Sequence, residues 1–90
     1  MKVADLKFTK TTIDDVYTFF VCFTDLGKIT VLDKEAGLII EGKEIETSYK
    51  DKQDNFWLAP PPFDIRDFPE LTIAEAVEKI KTRANAWDKD

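Results

Sequence analysis

The 90-residue sequence predicts an α+β fold: a curved antiparallel sheet of about five strands, a meander, with one C-terminal helix packed on one face. Period-two alternation of apolar and polar side chains runs through the first two thirds of the chain. Turn-forming residues interrupt it at 25–28, 33–37 and 50–55. Only the stretch after Leu71 changes to helical spacing.

Ala4, Leu6 and Phe8 alternate with Asp5, Lys7 and Thr9, which predicts a half-buried first strand over 2–10. Residues 11–15 read as a polar turn. The second strand, 16–24, points Tyr17, Phe19, Val21 and Phe23 one way and Val16, Phe20 and Cys22 the other. A strand apolar on both faces is either central and covered twice, or half of an oligomer contact. The expectation is therefore a homodimer, with Val16, Phe20 and Cys22 at the contact between copies.

Gly27 supplies the positive φ of a tight turn into a third strand over 28–33. The fourth strand is expected over 38–49, with a bulge or close backbone approach at Gly42. The last, 56–60, is stopped by Pro60-Pro61-Pro62, which lack the N–H donors to continue a ladder. Phe63, Ile65 and Phe68 then pin an ordered loop. A helix over 73–88 follows. Thr72 and Glu75 form its capping box, Ile73, Val77, Ile80, Ala84 and Trp87 share one face, and Glu75 with Lys79 makes an i,i+4 pair. Everything from 1 to 90 reads as one domain.

Composition narrows the function. With no histidine, the commonest general base and metal ligand are missing. Cys22, the sole cysteine, lies among Phe20, Val21 and Phe23 and reads as a small buried hydrophobe. No nucleophile, base or phosphate loop is assembled, so the chain reads as no enzyme, without catalytic residues, metal, cofactor or small-molecule substrate. The longest apolar stretch is too short to span a bilayer, and no leader segment is evident, which predicts a cytoplasmic protein without membrane contact. Eighteen acidic residues against 13 basic ones give a net charge of −5, which opposes long-range attraction to phosphate backbones.

One patch stands out. Tyr49 and Trp57, with Lys43, Lys50, Lys52 and Arg66 near them in sequence, form the combination of stacking and cationic groups that binds single-stranded nucleic acid. The competing reading puts both aromatics in the core and leaves the lysines solvated, interleaved with Glu44, Glu46, Asp51 and Asp54.

The same hairpin carries a resemblance. Met1-Lys2-Val3-Ala4-Asp5-Leu6, then Gly42-Lys43-Glu44-Ile45, then Phe56-Trp57-Leu58-Ala59-Pro60 and a closing helix resemble the SpoVG septation-regulator family and its phage-encoded relatives. The resemblance implies a small, dimeric, mainly antiparallel domain that binds DNA or RNA as a regulator. Against that pattern, 25–38 reads as an inserted hairpin and the proline run replaces Pro-Ser. Two functions stay open. One is a nucleic-acid-binding regulator using the final hairpin; the other is a phage or mobile-element module that binds and inhibits a host protein.

Overall fold

Antiparallel pairing follows the alternation of the sequence, though not at every predicted boundary. The computed structural model describes residues 1–15, 17–32, 39–40 and 43–88, with the backbone alone at 13, 17, 39, 40, 43 and 85–88. Among them, β1 (Thr9–Ile13), β2 (Tyr17–Thr24), β3 (Gly27–Leu32), β6 (Thr47–Asp51) and β7 (Phe56–Ala59) form a five-stranded sheet in that order. Between β3 and β6, β4 (Ile39–Ile40) and β5 (Lys43–Glu44) pair with each other. Helix α1 (Ile73–Asp88) packs against β6 and β7. The result is an open antiparallel meander with one C-terminal helix on one face.

Two predicted strands are corrected. The alternation at 2–10 does not form a strand until Thr9; Val3–Asp5 is instead a short 3-10 turn. Its backbone is tied to the far end of the chain. Val3 N–H donates to the Leu71 carbonyl at 2.8 Å, Ala4 N–H to Pro69 at 3.1 Å, and Ile73 N–H to Met1 at 3.3 Å. The strand predicted over 38–49 is divided, because β4 turns back on β5 and only 47–51 joins the main sheet. The expected turn at 33–37 and bulge at Gly42 lie outside the described residues. The expected polar turn at 11–15 begins only after Ile13, and Asp14 and Asp15 take positive φ of 56° each.

The turn at Gly27 forms as expected. Gly27 has φ of +147°, and a Cβ there would collide with the Lys50 carbonyl oxygen. Thr24 Oγ1 accepts from Leu26 N–H and Gly27 N–H, both at 3.1 Å, and closes the turn.

Register decides which face is which, since antiparallel partners share a face. Phe20 pairs with Val31 and Cys22 with Ile29; Ile29 pairs with Tyr49, and Tyr49 with Trp57. These side chains, with Thr47 and Ala59, form the face under α1. There Ile29, Val31, Ala59, Ala76 and Ile80 are essentially fully buried, and Val77 and Ala84 are nearly so. Each fully buried Ile or Val contributes about 1.5–3 kcal/mol.

Segment 60–71 is fastened to this core through Phe63. Its N–H donates to Glu46 Oε2 at 2.6 Å, and its carbonyl accepts from Thr47 Oγ1 at 2.7 Å. Phe63 and Ile65 are thereby buried, which delivers the chain to the start of α1.

The helix has its predicted bounds and its capping box: Thr72 N–H donates to Glu75 Oε1 at 3.0 Å, and Glu75 N–H to Thr72 Oγ1 at 3.2 Å. Lys79 does not serve Glu75; its ammonium lies 4.5 Å from the centre of the Phe68 ring. The side chain of Trp87 lies outside the described residues.

The Thr72 backbone N–H, then its hydroxyl, hold the Glu75 carboxyl below its ordinary 4.5. A depressed folded pKa adds stability that is complete above the unfolded value and vanishes as pH falls through the folded one. Urea midpoints measured on acidification should fall more steeply in the wild type than in Glu75→Gln. Thr47→Val, which removes the hydroxyl from Phe63, should lower unfolding free energy by about 1–3 kcal/mol in the same assay.

Candidate functional site

The predicted patch divides between the two faces of the sheet. Tyr49 and Trp57 lie under α1, stacked with ring centres 5.5 Å apart and an interplanar angle of 29°. Tyr49 is buried, and its hydroxyl donates to the Leu26 carbonyl at 2.5 Å. Burial pushes the Tyr49 hydroxyl pKa up, and the negative charge of Asp51 adds to the rise. The Lys81 ammonium covers the pair, 4.6 Å from the Trp57 ring centre and 5.9 Å from that of Tyr49. Tyr49 is thus enclosed, and Trp57 is partly buried against the core.

Arg66 is engaged as well. Its Nε and Nη2 fork onto the Asp64 carboxylate at 2.7–3.1 Å, and its guanidinium lies 4.9 Å from the Phe20 ring centre. The fork holds the turn at Ile65–Asp67 together, so Arg66 belongs to the scaffold. Lys43 pairs through its backbone with Ile40 in the small hairpin, and its side chain lies outside the described residues. Lys50 points away from Tyr49, onto the second face, and Lys52 is exposed in the loop after β6.

Of the residues expected at a contact between copies, Phe20 and Cys22 lie on the helix side of the sheet, opposite Val31 and Ile29 of the core. Cys22 is only 6 % exposed, and burial raises its thiol pKa against a backbone hydrogen bond from Lys7. Val16 lies outside the described residues.

On β2, the apolar set turned to the second face is Phe19, Val21 and Phe23. Across that face one row runs Thr9, Val21, Thr30, Ser48, Leu58, and the next runs Phe23, Lys28, Lys50, Phe56. Exposure rises toward the second row. In the first row Ser48 is buried, whereas in the second Phe23 is 80 % and Phe56 49 % exposed. Three strand spacings separate these two phenylalanines, about 14 Å. Two lysines fill the gap between them.

A recess of about 310 Å³ opens beside this row, lined by Phe23, Gly27, Lys28, Lys50, Asp51 and Lys52 among others. Lys50 Nζ lies 3.4 Å from Asp54 Oδ1, an exposed pair of little strength. Asp51 is occupied in shaping its own loop. Its carboxylate accepts from Gln53 N–H and Asn55 N–H, each at 2.9 Å, and from Asn55 Nδ2 at 3.0 Å. Among the described residues no group of three or more His, Cys, Asp or Glu side chains is placed to hold a metal ion. No described helix is long and apolar enough to cross a membrane.

Phe23, Lys28 and Phe56 are the members of this row that sequence reading missed. The signal was parity: Lys28 and Thr30 share a face of β3, Ser48 and Lys50 a face of β6, and polar residues on both mark the wetter side. No family model matches the chain, and no curated protein or solved structure does so either.

Truncation should separate scaffold from surface. Trp57→Ala removes a ring packed against the core and should lower unfolding free energy by about 2–3 kcal/mol. Phe23→Ala should leave stability within about 0.5 kcal/mol of the wild type in the same urea titration.

Proposed function

We propose that this chain is a small non-enzymatic binding protein that takes single-stranded nucleic acid on the exposed end of its second sheet face. The observation that carries this reading is the row Phe23, Lys28, Lys50, Phe56, an aromatic at each end and two cations between. An exposed phenylalanine forgoes the stability of burial, so two in one row mark a surface suited to contact. Base stacking on each ring is worth about 1–3 kcal/mol and tolerates any sequence. The gap of about 14 Å between the rings suits a strand that stacks one base on each and runs its phosphates past the lysines. Hydroxyls of Thr30 and Ser48 lie in the adjoining row. The resemblance to the SpoVG family favours the same ligand class.

Protein binding is the second reading, favoured by the net charge of −5 and by Asp51 and Asp54 beside the lysines. The two readings differ in salt dependence. Two phosphate contacts to a single strand release counterions with a slope of about −1.4 in log affinity against log salt.

Fluorescence anisotropy with labelled oligo-dT and oligo-rU, starting near 25 mM salt, tests the proposal. Binding should weaken with salt at that slope and fall at least tenfold in Phe23→Ala/Phe56→Ala. Lys28→Glu/Lys50→Glu should abolish it. No binding at the lowest salt, with a stable protein complex captured from nuclease-treated lysate on the same face, would establish the second reading instead.

A further inference from the structure

Beyond Phe23 lies a second recess, of about 480 Å³, between the turn after β2 and the start of α1. Met1, Leu6, Phe23, Leu26 and Ile73 give it apolar walls. Leu6 and Ile73 pack against the core, whereas Met1, Phe23 and Leu26 are exposed. Exposed apolar side chains gathered around one concavity mark a binding site. Phe23 and Thr24 line this recess and the lysine-bearing one alike, so the two adjoin at the end of β2.

Charge divides them. Lys28, Lys50 and Lys52 line the smaller recess, while among the described residues the only charged side chain on the larger is Asp25. The other polar groups at its rim are taken up by the fold. Thr24 Oγ1 accepts from Leu26 N–H and Gly27 N–H and donates to the Gly27 carbonyl at 2.8 Å. Thr72 N–H and Oγ1 engage Glu75, and Ile73 N–H donates to the Met1 carbonyl. Asp25 is exposed, and its carboxylate makes no hydrogen bond or ion pair among the described residues. An apolar recess with one available carboxylate suits a flat ring that presents hydrogen-bond donors and no negative charge.

We infer that this recess takes a guanine of the bound strand and that Asp25 selects it, an inference that rests on the nucleic-acid reading above. Guanine sets two donors side by side, N1–H and the 2-amino group, and so meets both carboxylate oxygens at once. Adenine and cytosine place a ring-nitrogen acceptor beside their amino group. Thymine and uracil flank their N–H with carbonyls. Each of these turns a lone pair toward Asp25. Space is ample, since an apolar cavity of about 150 Å³ already holds a benzene ring. The carboxylate also repels phosphate. A strand crossing Phe23 therefore keeps its backbone on the side of the lysines and turns a base to the recess.

Fluorescence anisotropy at low salt tests this with oligo-dT and the same oligonucleotide carrying one dG, one dA or one deoxyinosine. The dG strand should bind about fivefold or more tighter than the dA strand. Deoxyinosine, which lacks the 2-amino donor, should lose most of that gain. Asp25→Ala should abolish the preference while binding oligo-dT at least as tightly as the wild type. Asp25 has no positive φ and takes no part in the hydrogen bonds of its turn, so this variant keeps the fold. Equal affinity for the dG and dA strands, or a preference that persists in Asp25→Ala, would overturn the inference and leave the proposed function standing. A wild type that binds none of the four strands would overturn both.

Discussion

Much of the helix side of this molecule is arranged by how Phe63 is held. Its N–H and C=O are both taken by side chains of adjacent residues, Glu46 and Thr47, at the start of β6. The same Glu46 is built into the sheet by its backbone: its carbonyl accepts from Leu32 N–H at 2.8 Å, and its N–H donates to the Ala59 carbonyl at 3.1 Å. One residue thus joins β3, β7 and the segment beyond the prolines. A buried carboxylate is tolerated where hydrogen bonds replace water, and Oε2 of this one takes the buried N–H of Phe63. With Phe63 fixed, Ile65 reaches the core, the turn at Ile65–Asp67 closes, and Leu71 meets Val3. The helix then has a set entry point across β6 and β7.

That arrangement explains which face of the sheet is free. Helix α1 and the segment before it cover the side that carries Phe20, Ile29, Tyr49 and Trp57. The two aromatics closest to the lysines in sequence were consumed by this core. Their neighbours one residue along each strand, Lys50 on β6 and Phe56 on β7, therefore fell to the other face. Arg66 was drawn in the same direction by Asp64, two residues before it.

What could be read from the sequence was local. The capping box spans three residues and the turn at Gly27 requires one glycine, so both were legible, as were the helix bounds and the meander. The sidedness of β2 was not. Tyr17, Phe19, Val21 and Phe23 are as apolar as Phe20 and Cys22, and only pairing with Ile29 and Val31 on β3 shows which set is inside. The false strand at 2–10 failed for the same reason: its backbone partners are Pro69 and Leu71, some 65 residues on, where no alternation could announce them. Membership of the candidate site depended on this long-range information. A patch assembled from sequence neighbours mixed two faces, whereas the row that the sheet assembles draws one residue from each of four strands.

The acidic balance takes on a different meaning on this fold. A net charge of −5 is a property of the whole surface, but contact energies depend on charges within about a Debye length, 8–10 Å at ordinary salt. Lys28 and Lys50 are direct register neighbours, on adjacent strands about 4.8 Å apart, so their potentials add at short range. Opposing them nearby are Asp51, its carboxylate turned into its own loop, and Asp54, exposed and only loosely paired with Lys50. Under the proposed function, an incoming phosphate would compete with Asp54 for one lysine and not with the whole acidic surface. In the proposed complex the distant carboxylates would act on encounter, slowing it, and would leave the closed contact to the lysines and the two rings. A ligand held in the proposed way would be selected by the spacing of aromatic and cation on the sheet, with net charge setting only how fast it arrives.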